Sequence, residues 1–246
     1  MVRNIRKTIT ILLLTIKNKL MITLDNITLV CIDGRDDSYN TFKSLKALKY
    51  SSLDIQFKEK IFLSPAIKGD ENKILLKEWD ILHIEIPPIN WLEYNTFVLK
   101  ELKNYINTDY CILQSWDGFI INPNLWTPDF LNYDYIGASW PEWLIQCSKW
   151  VDTDVKLSRN YSLVGNGGFC LRSKKLLEIA SNAPFPINGP DDAYICQNHY
   201  GYFKDKGIKF APVEIADKFS REANHSLSWD SVFGFHDASV GFIETI

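Results

Sequence analysis

A β-branched apolar run at residues 26–33, "NITLVCID", is followed by the polar segment "DGRDD". This pattern predicts a buried strand that ends in a loop. Further apolar runs of strand length follow, and proline ends two of them. They lie at residues 60–65, 80–88 and 110–114, with a short continuation at 119–121.

Amphipathic segments lie between these apolar runs. Apolar residues at helical spacing predict a helix over residues 38–50, capped by Ser38 or Asn40, and a second helix over residues 90–106. Strands that alternate with helices over about 95 residues are typical of βαβ units and a mostly parallel sheet. Ligands of such sheets bind beyond the carboxyl ends of the strands, where "DGRDD" and "QSWDG" fall.

The second half of the chain is less regular. Residues 162–180 predict a glycine loop, a short strand and a helix, and residues 188–207 predict a turn and a helix that ends at a glycine. Residues 208–222 predict a strand and a loop. No repeat or linker marks an internal boundary. We therefore predict a single α/β domain over residues 21–246, preceded by a basic and apolar segment at residues 1–20.

Composition narrows the class of protein. The chain has 246 residues, 46% of them hydrophobic, and a formal net charge of −3. This net charge gives no excess of basic residues to bind the phosphates of DNA or RNA, so we expect no nucleic-acid partner. Its eight tryptophans are typical of proteins that handle sugars, whose apolar ring faces stack on flat aromatic surfaces. Aromatic residues that serve only the core and the surface are an equal interpretation.

The cysteines and the N-terminal segment bear on location. Five cysteines without a C-x-x-C motif do not make a disulfide framework or a cysteine zinc site, which indicates a reducing, cytoplasmic compartment. Residues 1–20 hold basic residues around an apolar stretch far shorter than the roughly 20 residues of a spanning helix. Two interpretations stay open for this segment: a packed helix or strand, and peripheral contact with an anionic membrane surface.

Two loops contain candidate ligand-binding residues. In "QSWDGFI" at residues 114–120, Asp117 stands at the mouth of a buried strand, where a core needs no carboxylate. We therefore predict that Asp117 binds a ligand. The glycine cluster "GNGG" at residues 165–168 lacks the lysine and the helix start of a phosphate cradle. It predicts either a tight turn or close approach of a ligand to the backbone.

Asp191, Asp192 and His236 each allow two interpretations. Carboxylates in a first helical turn gain about 0.3–1 kcal/mol from the helix dipole, which favours simple capping at Asp191 and Asp192. The alternative is a general base at a helix N-terminus that faces the crevice. A lone histidine such as His236 is more often a core or surface residue, but with Asp117 it could form an oxygen and nitrogen site for Mn²⁺ or Mg²⁺.

Six segments resemble, in sequence and in order along the chain, the motifs of a family of GT-A-like glycosyltransferases. That family is catalogued mostly as a domain of unknown function. The resemblance covers roughly residues 27–240. The segments are "QSWDGFIINPNLW", "FLNYDYIGASWP", "VGNGGFCLRS", "PDDAYIC", "IKFAPVEIADKFSRE" and "FGFH". "WDG" stands where a full D-x-D motif is usual, "DD" replaces E-D, and Cys170 replaces a serine.

The resemblance implies a GT-A-like, Rossmann-type, mostly parallel sheet flanked by helices in a single domain. It implies transfer of a sugar from a nucleotide-sugar donor to a hydroxyl of a glycan or other acceptor, in surface glycan or polysaccharide synthesis, with Mn²⁺ or Mg²⁺ as cofactor. Together with position in the crevice, it predicts that several residues contact the donor. These are Asp33, Arg35, Gln114, Trp116, Asp117, Asn166, Gly167 and Gly168.

The resemblance also assigns roles on the acceptor and metal sides. Asp192 takes the place of the base of an inverting enzyme, and Asp191 orients the acceptor. Asp117 and His236 would hold the metal. We further expect acceptor contacts from two residues, Trp140 and Glu222. The alternatives are a sugar-nucleotidyltransferase, for which "CIDGRDDSY" has too few glycine and basic residues, and a non-catalytic carbohydrate-binding module, which would not need acids at separate strand and helix ends.

Overall fold

The computed structural model of the chain describes residues 21–237. Residues 1–20, and with them the predicted membrane contact, lie outside the described residues, as do residues 238–246. The strands in this part of the chain are β1 (Ile22–Ile32), β2 (Ile55–Ser64), β3 (Leu82–Glu85), β4 (Tyr110–Gln114), β5 (Gly118–Ile120), β6 (Tyr135–Ile136), β7 (Ala138–Ser139), β8 (Val164–Gly165), β9 (Phe169–Ser173), β10 (Ser220–Arg221) and β11 (Gly234–His236).

Helices of varied length connect these strands. Between residues 21 and 237 they are α1 (Ser38–Ser51), α2 (Asp70–Glu78), α3 (Trp91–Lys100), α4 (Glu142–Cys147), α5 (Thr153–Ser158), α6 (Lys174–Ser181), α7 (Asp191–Ala193), α8 (Tyr200–Asp205) and α9 (Val213–Phe219). A π-helix at Tyr194–Asn198 follows α7 directly, and short 3₁₀ segments lie at Leu102–Asn104, Pro123–Leu125, Pro128–Asn132 and Trp229–Ser231.

A six-stranded sheet of order β3-β2-β1-β4-β9-β6 forms the centre of the described chain. Strands β3, β2, β1 and β4 run parallel, β9 pairs antiparallel with β4, and the edge strand β6 pairs antiparallel with β9. Alternate residues of β1 enter two different core clusters: Val30 and Ile32 pack on one face, Leu29 and Cys31 on the other. Burial on both faces explains why β1 is a continuous apolar run. The predicted GT-A-like, mostly parallel α/β architecture is confirmed.

A second sheet of short strands, of order β5-β11-β10-β7-β8, covers one end of the first. Here the prediction of a strand and a loop over residues 208–222 is wrong. Helix α9 begins after Pro212 and buries Ala216 and Phe219 at helical spacing, and only then does the two-residue strand β10 follow. The helical period in "VEIADKF" is short, which is why the segment resembles a strand in sequence.

Three points of the predicted helix assignment also need correction: one missed helix, one cap and one helix end. Helix α2 is missing from the sequence-based assignment, since its exposed, charged residues leave only Asn72 buried. The side chain that caps α1 is Asp37, whose Oδ1 accepts from the backbone N of Asn40 at 2.8 Å. The helix predicted over residues 90–106 ends at Lys100 and continues as a 3₁₀ turn.

The described chain holds its cysteines as free thiols. Cys31, Cys111, Cys170 and Cys196 are buried, and Cys147 is exposed. Cys31, Cys111 and Cys170 lie in β1, β4 and β9 and act as small core residues. Within residues 21–237, no helix combines the length and the apolar character needed to cross a membrane.

Candidate active site

Asp117 and His236 meet because β5 pairs antiparallel with β11. Asp117 precedes β5 directly, and His236 lies opposite Gly118 in the register of the two strands. This pairing brings His236 Nε2 to 3.5 Å from Asp117 Oδ1. Ser115 Oγ donates a hydrogen bond to the same carboxylate oxygen at 2.6 Å. The structure thus places the two predicted metal ligands side by side.

A polar chain continues from His236 to Trp140. His236 Nδ1 lies 2.8 Å from Glu222 Oε1, and Trp140 Nε1 donates to Glu222 Oε2 at 2.5 Å. Burial would lower the pKa of His236, but hydrogen bonds to Asp117 and Glu222 and the charges of both carboxylates raise that pKa to about 10. Glu222, predicted to contact the acceptor, therefore contacts the predicted metal ligand His236, and Trp140 is bound to Glu222.

The glycines of "VGNGG" let candidate site residues approach the backbone. A Cβ at Gly168 would lie 2.3 Å from His236 Nε2, one at Gly167 would lie 2.8 Å from Asp191 Oδ1, and one at Gly165 would lie 2.5 Å from the Trp140 ring. Such distances exclude any side chain at these positions unless the neighbour moves. The sequence predicted either a tight turn or the close approach of a ligand to these glycines. In the structure, side chains of the protein itself lie against them.

The turn in this loop is made by Asn166. Its φ of 89° lies in the region that favours glycine, and asparagine is one of the few other residues that tolerates it. Asn166 Oδ1 accepts hydrogen bonds from the backbone N of Gly168 at 2.9 Å and of Phe169 at 3.0 Å. The fully buried Asn166 side chain thus shapes the loop, and its predicted contact with a donor stays a prediction.

Asp191 and Asp192 are both buried in the single turn of α7, but their partners differ. Asp191 Oδ2 forms an ion pair with the Nη2 of Arg172, a residue with no exposed surface. Asp192 Oδ2 accepts from the backbone N of Gly167 at 2.8 Å, and its Oδ1 accepts from the N of Ala193 at 2.7 Å. Asp191 therefore has a cationic partner, whereas these contacts bind Asp192 to backbone amides.

The carboxylates near this loop differ in their affinity for a proton. Burial, followed by the charges of Asp191 and Glu222, raises the pKa of Asp192 from 3.8 to about 7. Burial would also raise the pKa of Asp117, but the hydrogen bond and charge of His236 and the hydrogen bond from Ser115 lower it below its ordinary value. Asp117 stays ionised at neutral pH, while Asp192 is able to take up and release a proton there.

Asp33 and Arg35 form one unit at the carboxyl end of β1. Arg35 donates from Nε to Asp33 Oδ1 at 2.8 Å and from Nη2 to Asp33 Oδ2 at 2.7 Å, and Ser44 Oγ donates to Oδ2 at 2.8 Å. Asp33 is buried, whereas the Arg35 side chain is 42% exposed. Of these two predicted donor contacts, Arg35 is the one that presents its surface to solvent.

Trp116 and Gln114 lie at different depths. Lys43 Nζ is 3.6 Å from the centroid of the Trp116 ring, which is partly exposed at the same edge. Gln114 is fully buried, and its Oε1 accepts from Ser51 Oγ at 2.6 Å. Gln114 thus lies beneath the edge where the donor is expected, and its contact with the donor stays a prediction.

Sequence patterns did not single out Arg172, Ser115 or Lys43. Arg172 had a signal that was available, because a charged residue inside the apolar strand "FCLRS" needs a buried partner. Ser115 and Lys43 had none, since serine and lysine are ordinary in a loop and on a helix surface.

The fold is similar to that of solved glycosyltransferases at low sequence identity. An active-site mutant of LgtC is 14% identical, aligns over 89% of this chain and 93% of its own, and has a TM-score of 0.52. The galactosyltransferase LgtC with donor and acceptor sugar analogues is 16% identical over 86% of this chain and 87% of its own, with a TM-score of 0.48.

The mannosyltransferase PcManGT from Pyrobaculum calidifontis, in complex with GDP-Man and Mn²⁺, is 11% identical over 76% of this chain, with a TM-score of 0.45. The present chain spans 54% of that protein's length. No curated protein sequence matches this chain.

A family model described as "Protein of unknown function (DUF5672)" matches residues 88–236. The match contains Asp117, Asp191, Asp192, Glu222 and His236, so the carboxylates and the histidine that meet around the "VGNGG" loop all lie inside it. It spans more than half of the chain, and the chain therefore belongs to the DUF5672 family, whose fold in this member is GT-A-like.

Proposed function

We propose that this protein is a glycosyltransferase that moves a sugar from a nucleotide-sugar donor to a hydroxyl acceptor, with the assistance of a divalent metal and with inversion at the anomeric carbon. One observation carries the proposal. A carboxylate that stays ionised, Asp117, and a carboxylate that exchanges a proton near neutral pH, Asp192, lie at the "VGNGG" loop of a GT-A-like fold. Asp192 accepts from the N of Gly167, and the Ser115 hydroxyl bridges Asp117 and the carbonyl of Gly168. The fold shared with LgtC supports the proposal by analogy.

The residues at Asp117 fit a divalent cation. The Oδ1 of Asp117 and the Nε2 of His236 lie 3.5 Å apart, close enough to share one ion. Glu222 accepts from Nδ1 on the other side of the ring, an arrangement that orients a metal-binding histidine. Because the pKa of His236 is about 10 without a metal, a cation bound at Nε2 would displace the proton of that nitrogen. The described residues contain no cluster of three or more metal-binding side chains, so donor oxygens and water would complete the shell.

When bound, such a cation neutralises the negative charge of the leaving diphosphate. The protein itself supplies the carboxylate that retains its charge at neutral pH, Asp117, and the histidine whose ring Glu222 holds in place. Arg35, fixed by two hydrogen bonds to Asp33, presents a guanidinium to the donor from the neighbouring strand end.

Asp192 is the group proposed to accept the proton of the acceptor hydroxyl. As the proton passes to Asp192, the acceptor oxygen forms a bond to the anomeric carbon, and the bond from that carbon to the diphosphate oxygen breaks with its electron pair. A pKa of about 7 suits this task, because the carboxylate is present at neutral pH and is basic enough to take the proton. One direct displacement of this kind inverts the configuration.

Asp191 has a different proposed role. Its ion pair with Arg172 already neutralises its charge inside the protein, so it is not available as a base. Its backbone N donates to Asn95 Oδ1 at 2.8 Å, which ties the turn of α7 to helix α3. We propose that Asp191 positions Asp192.

The test is a thermal-shift screen of nucleotides and nucleotide-sugars with and without Mn²⁺, since a ligand that binds only the folded state raises the melting temperature. We expect a donor whose shift requires Mn²⁺ and disappears with EDTA. Asp117→Ala should remove most of this binding, and His236→Ala should weaken it less, because a carboxylate offsets more of the charge of the cation.

Asp205→Ala, which changes an exposed carboxylate at the end of α8, is the matched control and should bind the donor as the parent does. Donor binding that ignores EDTA, or an Asp117→Ala variant that binds like the Asp205→Ala variant, would remove the metal assignment. Binding of glycans without any nucleotide-sugar would favour the carbohydrate-binding module instead.

A further inference from the structure

A series of adjoining surface cavities leads away from the candidate active site. The first, of about 260 Å³, is lined by His236 and Glu222. The second, of about 500 Å³, shares Glu222 and Ala223 with the first. The third, of about 250 Å³, shares Lys149 and Trp150 with the second. Because neighbouring cavities share these residues, the series runs from His236 to Pro190, which precedes α7. We call this series of three cavities the groove.

Exposed aromatic surface lies at the far part of the groove, where Trp150 lines the second and third cavities and Trp91 packs against it. Trp91 and Trp150 lie with their ring centroids 5.0 Å apart and their planes inclined by 33°, and we call them the tryptophan pair. Trp91 is 51% exposed and Trp150 is 36% exposed. Two large rings that contact each other while keeping this much surface in water are typical of a binding surface.

The tryptophan pair is attached to the turn that holds the proposed base. Asn95 Nδ2 donates to the carbonyl of Trp91 at 2.7 Å, and Asn95 Oδ1 accepts from the N of Asp191 at 2.8 Å. Asn198, the last residue of the π-helix after α7, donates from Nδ2 to the carbonyl of Trp150 at 2.9 Å. Both tryptophans are therefore held at a set position relative to Asp192, as a substrate subsite requires.

The third cavity also offers polar groups beside the aromatic surface. Asp152 and Asn188 are among the residues that line it. A flat aromatic face next to hydroxyl-binding carboxylate and amide groups suits a sugar, which has an apolar ring face and a polar edge. A lipid chain would leave these polar groups buried without partners, at a cost in free energy.

We propose, on the basis of the proposed function, that the acceptor is an oligosaccharide that extends along the groove, with a sugar ring remote from the reacting hydroxyl stacked on the tryptophan pair. The reacting end lies near Glu222, and the further ring lies over Trp150 and beside Trp91. Acceptor recognition thus extends well beyond Trp140 and Glu222.

The experiment measures binding of defined tetrasaccharides to the full chain by isothermal titration calorimetry. The probes are maltotetraose, cellotetraose, mannotetraose and chitotetraose. We expect at least one to bind the parent protein, and we expect Trp91→Ala to raise its Kd about tenfold or more through loss of ring stacking. Trp150→Phe, which keeps a smaller ring in the core of the pair, should raise the Kd less.

Trp143→Ala is the matched control. Trp143 is 63% exposed on α4 and, among the described residues, its ring contacts neither Trp91 nor Trp150. It should bind the tetrasaccharide as the parent does. The melting temperature of each variant shows whether that variant is folded. If Trp91→Ala does not fold, the Kd of Trp150→Phe decides the test.

Two results would overturn the proposal: equal Kd values for the parent, Trp91→Ala and Trp150→Phe, or no binding of any tetrasaccharide to the parent. Donor binding with Mn²⁺, measured on the same proteins by thermal shift, separates this failure from failure of the proposed function. Donor binding without tetrasaccharide binding removes only the groove as an acceptor site. Tetrasaccharide binding that depends on Trp91, in a protein that binds no nucleotide-sugar, overturns the acceptor role and the transferase proposal together.

Discussion

Asp117 and Asp192 are both buried aspartates at the same loop, yet their surroundings change their acidity in opposite directions. Asp117 faces His236 and Ser115, and its pKa is lowered. Asp192 faces the charges of Asp191 and Glu222, and its pKa is raised to about 7. Burial raises the pKa of both groups and is the largest cause at Asp192, where the charges of Asp191 and Glu222 add to it, whereas at Asp117 the hydrogen bond and charge of His236 outweigh it. The comparison shows how one fold can hold a permanent charge and a proton acceptor close together.

Asp191, next to the proposed proton acceptor, has a different kind of partner. The buried Arg172 pairs with Asp191, so that residue has a permanent counterion. Asp192 has hydrogen bonds to backbone amides but lies beside the Asp191 charge. The position of one guanidinium therefore distinguishes the two adjacent aspartates by their partners.

The largest expected effect is on transfer in Asp192→Asn. If Asp192 is the base, its loss should lower the transfer rate by about 10²–10⁴-fold while donor affinity stays near that of the parent and the variant stays folded. The measurement is transfer rate beside donor affinity, once the donor screen has found a substrate. Parent-like activity in this variant would leave capping of α7 as the role of Asp192 and would favour a retaining mechanism.

The next effect is on stability, in Asp191→Asn. Removing one partner of a buried ion pair leaves Arg172 without its counterion, which should lower the free energy of unfolding by about 3–5 kcal/mol. Urea denaturation of this variant beside Asp192→Asn measures the difference, since both changes neutralise a neighbouring carboxylate. Equal midpoints for the two variants would contradict the distinction between a paired and an unpaired aspartate.

Glu222→Gln tests the support of His236. Loss of the carboxylate that orients a metal-binding histidine typically costs about 10–100-fold in metal affinity. We expect a weakening of this size in the Mn²⁺ concentration needed for donor binding, measured by thermal shift. Glu214→Gln, at an exposed position in the first turn of α9, is the control and should leave that concentration unchanged.

The smallest effect is a graded dependence on pH. With a pKa of about 7, Asp192 is increasingly protonated below that pH, so transfer by the donor-bound enzyme should fall about tenfold per pH unit on the acid side and level off above pH 7. A single-turnover pH profile measures this dependence. A rate that does not change between pH 5 and pH 7 would separate Asp192 from the proton transfer.

The same pKa has the opposite effect on stability. Between pH 3.8 and about 7 the folded protein binds a proton at Asp192 that the unfolded chain has lost. The stability contributed by this group is therefore present below pH 3.8 and decreases as the pH rises to about 7. Urea midpoints across this range for the parent and Asp192→Asn should converge toward acid pH.

The amino-acid sequence alone was enough to predict the architecture and the identity of the candidate residues. The apolar run of β1, the amphipathic helix α1 and the strand β4 are local patterns, and their periods identify the elements without knowledge of their partners. Position at strand ends predicted the site at "QSWDG". Helix α2 and helix α9 escaped the prediction because the first is mostly exposed and the second is only seven residues long.

The tertiary structure alone decided what these residues are able to do. Asp117 and His236 are far apart in sequence and meet only through the pairing of β5 with β11. Asp191 and Asp192 are adjacent in sequence, but Arg172 reaches Asp191 across the fold, whereas the backbone amides of Gly167 and Ala193 donate to Asp192. Periodicity specifies which face of an element is apolar, but a pKa depends on charges and burial in three dimensions, and these are set by contacts between distant segments.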